Sequence, residues 1–377
     1  MYGGVIIIFL VSGLSIPRQK LVKHMLNWRL HLLVQGISFL FFPAIMMALI
    51  HLVYATDRQK RIDVSVLAGY IFVGCLPTTI SSNVLMTRMA GGDEAAALVE
   101  VLIANKLGPV ITPGWTVTLL PQSVDFDLWR NANTDMGSMY RNVFKELGLT
   151  VLVPLTFGQV LRWSFPDTTA KILQKFHLGK VSTICLVLIV WVSFSTCFGT
   201  NALQSFTTET VLFAVFFNIA LYNFFTVICF ILSYPPKFLL FQQPILRYVL
   251  YRLPPGEVIA ICFCGAAKTS GLGIPLLYAM YDGASLSQKA KTSVPIILYM
   301  TEQILCAHFM VHMFLKWKVK KQTGDVENAD DQTVGEGGDG RTSTTVTINM
   351  AEGELREMRQ GGEKTSPTRG SPQGNDH

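Results

Sequence analysis

The chain has 377 residues, of which 50% are hydrophobic and only 15% are charged. An ordinary soluble domain carries about 25% charged residues, so this composition is unusually apolar. The charge is also uneven, since 20 of the 56 charged side chains lie in the last 62 residues. The composition argues against a soluble enzyme, a secreted disulfide domain and a nucleic-acid binder, and it indicates a membrane protein with a polar tail.

Apolar runs follow one another along most of the chain. A helix needs about 20 such residues to cross a bilayer. We predict an all-α, polytopic membrane protein with about nine spans. The first, Met1 to Ile16, is short, but it has no basic leader and is a poor match to a cleaved signal peptide. The other spans lie near Trp28 to Ala55, Val64 to Met86, Glu94 to Leu119, Asn142 to Arg162, Val181 to Phe198, Thr210 to Leu232, Val258 to Tyr281 and Ser293 to Leu315.

Lysine and arginine predict the orientation of these spans. One set of alternate connections carries 16 of these residues and the other set carries 8. Because cytoplasmic loops are enriched in lysine and arginine, the richer set is predicted to be cytoplasmic and the amino terminus to be outside. The end of the chain is rich in Gly, Asp, Glu, Ser and Thr, which cannot bury enough apolar surface to fold. We therefore predict a transmembrane domain at residues 1–316 and a disordered cytoplasmic tail at 317–377.

The seven cysteines all lie in apolar runs, which argues against a disulfide scaffold. Cys262 and Cys264 are two residues apart, a spacing unlike that of zinc ligands, so we interpret them as small buried hydrophobic residues. The sequence contains no nucleophile elbow, phosphate loop or metalloprotease helix. We accordingly predict no enzyme activity, no cofactor and no metal site, and an intramembrane enzyme is only a distant alternative.

Two of the spans are interrupted near their middle by glycine and proline. Either residue could simply kink a helix. Unwound backbone within a bilayer is tolerated only where protein or a water-filled cavity surrounds it, and a pair of interrupted spans is typical of a secondary transporter's binding site. The pattern therefore predicts a transport site where the two breaks meet. The residues expected to break the helices are Gly74, Pro77, Gly265, Gly271, Gly273 and Pro275.

Lys268 lies in the middle of the second interrupted span. A charged side chain there costs several kcal/mol unless it is paired or solvated, and both interfaces are too distant for comfortable snorkelling. We interpret Lys268 as a functional or paired residue and, as a hypothesis, assign Glu100 on a neighbouring span as its ion-pair partner. The residues predicted to bind substrate or ion are Ser82, Asn83, Glu100, Cys264, Lys268, Thr269 and Ser270.

Several motifs resemble the bile acid:sodium symporter family, in its divergent branch with sodium/bile acid cotransporter 7 and the fungal regulator of calcium homeostasis. The matching segments include Gly74-Cys75-Leu76-Pro77, Ser81-Ser82-Asn83, Gly91 to Ala97, Gly108 to Pro113 and Lys268 to Pro275. The resemblance covers about residues 10 to 315. It implies two inverted repeats of five helices with two crossing discontinuous helices. By this resemblance the chain begins at the family's second helix, which suggests a truncated gene model.

The resemblance also implies which residues correspond to the family's sodium ligands. Ser82 and Asn83 match such ligands, whereas Ala97 and Val101 replace two hydroxyl residues. Cys264 stands in place of a glutamate, and Lys268 replaces a glutamine. Losing a carboxylate and gaining an ammonium disfavours bound sodium. We therefore predict transport that is independent of sodium, or a lysine ammonium in the place of an ion, and a solute other than a bile acid.

In biological terms, the resemblance implies a role in cellular calcium homeostasis. The predicted function is that of a membrane solute carrier, and the alternative is a non-transporting regulator of a calcium channel or pump. The expected partners are the lipid bilayer, a small solute such as an organic anion, and a calcium-handling membrane protein, with no nucleic acid. The expected location is the plasma membrane, with the Golgi or another secretory-pathway membrane as the alternative.

Overall fold

A computed structural model describes residues 2–15, 24–130, 136–202, 204–236, 252–281 and 283–334. Every regular element within these ranges is helical. The first half contains α1 (Tyr2–Leu14), α2 (Trp28–Gly36), a π-helical turn (Ile37–Phe41), α3 (Phe42–Thr56), α4 (Val64–Cys75), α5 (Ser81–Met89), α6 (Glu94–Leu119), a 3-10 turn (Val124–Phe126) and α7 (Asp127–Arg130).

The regular elements described in the second half are also helical. It contains α8 (Met136–Leu147), a second π-helical turn (Gly148–Leu152), α9 (Val153–Ser164), α10 (Pro166–Lys175), α11 (Leu178–Gly199), α12 (Thr208–Ser233), α13 (Pro255–Ala266), α14 (Ser270–Met280) and α15 (Leu286–Val334).

Each predicted span coincides with a helical segment, although not every segment is long enough alone to cross a bilayer. Within the described residues, six segments have the necessary length and hydropathy: Trp28–Thr56, Glu94–Leu119, Leu178–Gly199, Thr208–Ser233, Pro255–Met280 and Leu286–Lys321. Gly3–Leu14 and Val64–Cys75 are apolar but shorter. The structure therefore confirms an all-α, polytopic membrane protein, while the count of nine spans stays a prediction.

The helices form two packed groups. In one, α1 packs against α9 and α11. Glycines allow α1 and α9 to approach closely. A Cβ on Gly13 would lie 2.3 Å from the carbonyl oxygen of Leu155, and a Cβ on Gly158 would lie 2.5 Å from the carbonyl oxygen of Leu10. Small residues at such interfaces let membrane helices approach closely. In the other group, α6 packs against α4, α5 and α13, and α12 packs against α13.

The start of the predicted tail differs from the observed structure. α15 continues to Val334, so residues 317–334 are helical although they were assigned to a disordered tail. The lysine-rich run that follows the apolar part of α15 consists of good helix formers, which extend a helix that is already nucleated. The remainder of the predicted tail lies outside the described residues.

Candidate functional site

The first predicted break is present at the expected position. α4 ends at Cys75 and α5 begins at Ser81. Leu76, at φ −67° and ψ 150°, has an extended backbone. Proline disfavours the helical conformation of the residue before it, so Pro77 ends α4 in this way. Pro77 therefore lies within the break, whereas Gly74, the penultimate residue of α4, is itself helical.

The second break is also present, but it is shorter than predicted. α13 ends at Ala266 and α14 begins at Ser270. Four residues that were expected to break the helix are instead helical: Gly265 in α13, and Gly271, Gly273 and Pro275 in α14. Pro275 is the sixth residue of α14, so its missing N–H removes one intrahelical bond, to the Gly271 carbonyl, without ending the helix. Gly273 serves packing, since a Cβ there would lie 2.7 Å from Leu76 Cδ1.

The two breaks contact each other directly. The backbone N–H of Thr269 donates to the carbonyl oxygen of Pro77 over 2.9 Å. Gly108 on α6 lets the crossing stay compact, because a Cβ there would lie 2.7 Å from the Pro77 ring. The unwound segments are thus enclosed by protein, which is the condition for irregular backbone within a bilayer.

The Lys268 ammonium lies at the centre of this crossing. The residue is 2% exposed. Its Nζ donates to the carbonyl oxygens of Ser38 and Leu76 over 2.8 Å and of Gly74 over 3.0 Å. It also lies 4.2 Å from the centroid of the Phe42 ring, a cation–π distance. The positive charge is therefore stabilised by the carboxyl end of α4, where the helix dipole is negative.

The π-helical turn explains why the Ser38 carbonyl is available to Lys268. The N–H of Phe42 donates to the carbonyl of Ile37 rather than to that of Ser38. The next residue, Pro43, has no N–H to offer. The Ser38 carbonyl therefore has no donor in its own helix, and the lysine supplies one. Such π-helical turns occur frequently at functional sites.

Neighbouring helices satisfy the remaining carbonyl groups of the first break. The Thr112 hydroxyl on α6 donates to the carbonyl of Cys75 over 2.8 Å. The Asn105 amide on the same helix donates to the carbonyl of Thr78 over 2.9 Å. Buried backbone groups in proteins are almost always paired, and side chains make that pairing possible here. The unwound backbone is therefore held by its surroundings rather than by its own helices.

The second break is held mainly by Gln303 on α15. Its Oε1 accepts from the Lys268 backbone N–H over 2.8 Å, and its Nε2 donates to the Lys268 carbonyl over 2.8 Å. The Tyr299 hydroxyl, one turn away, donates to the carbonyl of Ala266 over 2.8 Å. The backbone of Lys268 is thus fixed while its side chain extends to the first break.

The predicted ion pair between Glu100 and Lys268 is not formed. Glu100 is fully buried, with Oε1 2.5 Å from His31 Nδ1. Its Oε2 accepts from Gln35 Nε2 over 2.8 Å. The pairing hypothesis was wrong because carbonyl groups already stabilise the lysine charge, while α2 supplies partners for the carboxylate.

The other predicted site residues divide between the two breaks. At the first, the Asn83 amide donates to the Thr78 hydroxyl over 2.5 Å, and the Ser82 hydroxyl contacts that of Thr79. Cys264 lies beside the same region, with its Sγ 3.8 Å from the Ala97 carbonyl oxygen. Thr269 lies at the crossing itself, while the Ser270 hydroxyl faces Met300 on α15.

The sequence interpretation missed several residues of this site. His31, Gln35, Ser38 and Phe42 recur at helical spacing along one continuous helix, Trp28–Thr56. Polar residues repeating at intervals of four and three in an apolar span indicate one face directed towards protein, and this signal could have identified the first three. Gln303 gave no comparable signal, because its role depends on where the second break falls.

A cavity of about 220 Å³ lies beside α5, between the two helix groups. Its polar lining consists of Arg88 and several hydroxyl groups, with no acidic side chain among the described residues that line it. The lining residues are Val11, Ser12, Ser15, Ile80, Val84, Leu85, Arg88, Leu98, Gly179, Ser182 and Thr183. Arg88 also donates to Glu94 over 2.5 Å and 3.0 Å, so its charge is partly balanced at the rim.

Comparisons with known proteins identify related membrane carriers. The solute carrier RCH1 of Candida albicans is 36% identical over 84% of this chain and 80% of that protein. The solute carrier RCH1 of Saccharomyces cerevisiae is 37% identical over 86% of this chain and 78% of that protein. Sodium/bile acid cotransporter 7 of Mus musculus is 29% identical over 86% and 85% of the two chains.

The model of the SBF-like CPA transporter family matches residues 1–316, which include both breaks and the cavity. The RCH1 relatives exceed 35% identity over most of the chain. The resemblance to the bile acid:sodium symporters seen in the sequence is therefore confirmed at the level of the family. The chain belongs to the SBF-like CPA transporter family and is a membrane transporter, not an enzyme.

Proposed function

We propose that this protein is a secondary transporter in which the Lys268 ammonium takes the place of a coupling sodium ion. The observation that carries the proposal is the set of three carbonyl oxygens that bind Nζ at the crossing. Half-helix ends and freed carbonyls bind cations in transporters with broken helices. With the ammonium already there, a second cation at the same oxygens would be repelled at short range. Transport is therefore expected to be independent of sodium.

The cavity beside α5 is the proposed binding site for the solute. It joins the two helix groups, so relative movement of the groups would open it to one side or the other. Its hydroxyl groups and Arg88 offer hydrogen-bond donors, and the absence of a lining carboxylate among the described residues favours an anion. The proposed solute is a small organic anion that moves by alternating access around the crossed breaks, with the family's inverted repeats as the framework.

We propose that any effect on cellular calcium is indirect. Calcium prefers six to eight hard oxygen ligands, with carboxylates prominent among them. The described residues contain no group of three or more His, Cys, Asp or Glu side chains that could hold a metal ion, and the crossing carries an ammonium. The plasma membrane, with the end of the chain in the cytoplasm, remains the proposed location.

Uptake by the purified full chain in lipid vesicles tests these proposals. With tritiated p-aminohippurate as a small organic-anion probe that is not a bile acid, we expect equal initial rates when external sodium is replaced by potassium. Lys268→Gln is expected to lose uptake, and the exposed Lys171→Gln serves as the matched control. Radioactive calcium is not expected to accumulate.

Three results would contradict the proposals. Strict sodium dependence would refute the role of Lys268 as the resident cation. Failure of p-aminohippurate uptake to exceed that of protein-free vesicles in either medium would refute the organic-anion assignment. Calcium accumulation that requires the protein would refute the indirect effect on calcium.

A further inference from the structure

The buried pair of His31 and Glu100 has a proton requirement that follows from its hydrogen bonds. His31 Nε2 lies 3.1 Å from the carbonyl oxygen of Met25. A carbonyl oxygen only accepts, so Nε2 carries a hydrogen. On the other side of the ring, Nδ1 lies 2.5 Å from Glu100 Oε1. Two acceptors cannot face each other at that distance, so one proton lies between them.

The net charge of the pair does not depend on which of the two groups carries this proton. It resides either on Nδ1, giving an imidazolium beside a carboxylate, or on the carboxyl group, giving two neutral partners. In both cases the pair has no net charge. Without the proton it would carry one negative charge in a site where Glu100 is fully buried. Such a charge is costly within a membrane.

The pair connects the protein surface to the buried carboxyl group. The His31 side chain is 20% exposed, and Met25, whose carbonyl it contacts, is 49% exposed. A proton can therefore reach Glu100 through the imidazole ring, whose two nitrogens can bind and release a proton on opposite sides of the ring. The connections at this end of α6 belong to the set that the lysine and arginine distribution places in the cytoplasm.

The same helix links the pair to the crossing of the breaks. Gln35 Nε2 donates to both the carboxylate and the backbone carbonyl of Glu100, over 2.8 Å and 3.0 Å. Ser38, one turn further on, accepts from Lys268. His31 and Ser38 are seven residues apart, or about 10 Å along a helix. Any movement that separates α2 from α6 at Glu100 would therefore also lengthen the hydrogen bond between Lys268 and Ser38.

We propose that His31 and Glu100 form the proton-binding site of this transporter, and that the pair releases its proton only when α2 and α6 separate. This inference rests on the proposed transport function. Uptake of one proton from the cytoplasmic side neutralises the pair and closes the α2–α6 contact. Release of that proton leaves a carboxylate, which requires water and hence an open arrangement. The coupling ion is then a proton rather than sodium.

Other ionisable groups near the pair have partners of their own. Arg88 binds Glu94, Lys106 binds Gln159, Glu257 accepts from Asn27, and Arg29 lies 5.6 Å from the Trp28 ring centroid. The thiol and phenol groups on the packed helices are ordinarily uncharged at neutral pH. Among the side chains that the structure describes on those helices, the remaining ionisable ones are His51 and Tyr54 on α3, Tyr70 and Cys75 on α4, Tyr140, Arg141 and Lys145 on α8, Glu209, Tyr222 and Cys229 on α12, Cys262 and Cys264 on α13, and Tyr278 on α14.

Infrared difference spectroscopy on the purified full chain tests the proton site without any solute. In a titration from about pH 5 to about pH 8, we expect a carboxyl band that responds to pH. Glu100→Gln should abolish the band, and His31→Gln should move its midpoint by about one pH unit or more. His51→Gln, an exposed histidine on the same helix, should leave it unchanged. A spectrum with no pH-dependent band lost in Glu100→Gln, or with the wild-type midpoint kept in His31→Gln, would overturn the proposal.

The coupling step is tested in the vesicles used for p-aminohippurate uptake. Protein inserted with its cytoplasmic side outward takes its proton from the external medium. For this fraction an acidic exterior is expected to raise the initial uptake rate of the wild type several-fold, and Glu100→Gln should lose this response. A wild-type rate that ignores the pH gradient would overturn the coupling. Absence of uptake at every pH would instead count against the proposed transport function, and the infrared titration would then decide the proton site by itself.

Discussion

The two broken spans reach the same crossing but interrupt their helices by different means. The first contains Pro77, which prevents Leu76 from continuing α4. The second contains no proline in the break, since Pro275 is already within α14. Instead, Gln303 binds both the N–H and the C=O of Lys268. The first interruption is thus encoded locally, whereas the second is imposed by a neighbouring helix.

This difference shows that a glycine or proline in a membrane span does not by itself locate a break. Gly271 and Gly273 lie in a regular helix, and Gly273 is needed because Leu76 approaches closely. The residue that interrupts the second span is Lys268, whose side chain bonds to the first break. The second break therefore lies at the residue whose side chain binds the first break.

Replacing Lys268 is expected to have the largest effect on stability, because it serves both breaks. Lys268→Met keeps an apolar stem of similar length but leaves the carbonyls of Ser38, Gly74 and Leu76 without this donor. Each unsatisfied buried group costs about 1–3 kcal/mol, and removing a buried charge offsets part of that. We expect a net loss of about 2–4 kcal/mol, measured as a lower thermal unfolding midpoint of the purified protein.

Lys171→Met provides the matched control for this substitution, since Lys171 is exposed on α10. It should leave the unfolding midpoint unchanged. If Lys268→Met were as stable as the wild type, the ammonium would contribute nothing net to holding the crossing. Lys268 would then not be the residue that stabilises the contact between the two breaks.

Replacing Gln303 is expected to affect the second break alone. Gln303→Leu fills a similar volume but leaves the N–H and C=O of Lys268 unpaired. We expect a loss of about 2–3 kcal/mol, again measured by thermal unfolding. Thr301→Val on the same helix removes only a partly buried bond to the Ile297 carbonyl of its own helix and should be nearly neutral. Equal midpoints for Gln303→Leu and Thr301→Val would show that the second break is determined locally.

The sequence predicted the features that depend on composition and on local chain chemistry. Long apolar runs located the spans, Pro77 located the first break, and the cost of a buried charge identified Lys268 as a functional candidate. The partner of Lys268 was predicted wrongly. Its ligands are backbone carbonyls, which every residue carries, so no residue type marks them. The Ser38 carbonyl in particular is free only because a π-helical turn precedes Pro43.

The smallest of these effects is expected at the first break, where support is spread over several side chains. Thr112→Val leaves the Cys75 carbonyl without the hydroxyl that binds it over 2.8 Å. One unsatisfied carbonyl gives an expected loss of about 1 kcal/mol, less than that of Gln303→Leu, which removes two bonds. Thr118→Val on the same helix is the matched control, because its hydroxyl binds only the Gly114 carbonyl of its own helix and is exposed. If Thr112→Val lost more stability than Gln303→Leu, the first break rather than the second would depend more on a neighbouring helix. The first break would then depend on one tertiary contact, and Pro77 would no longer be sufficient to explain why α4 ends at Cys75.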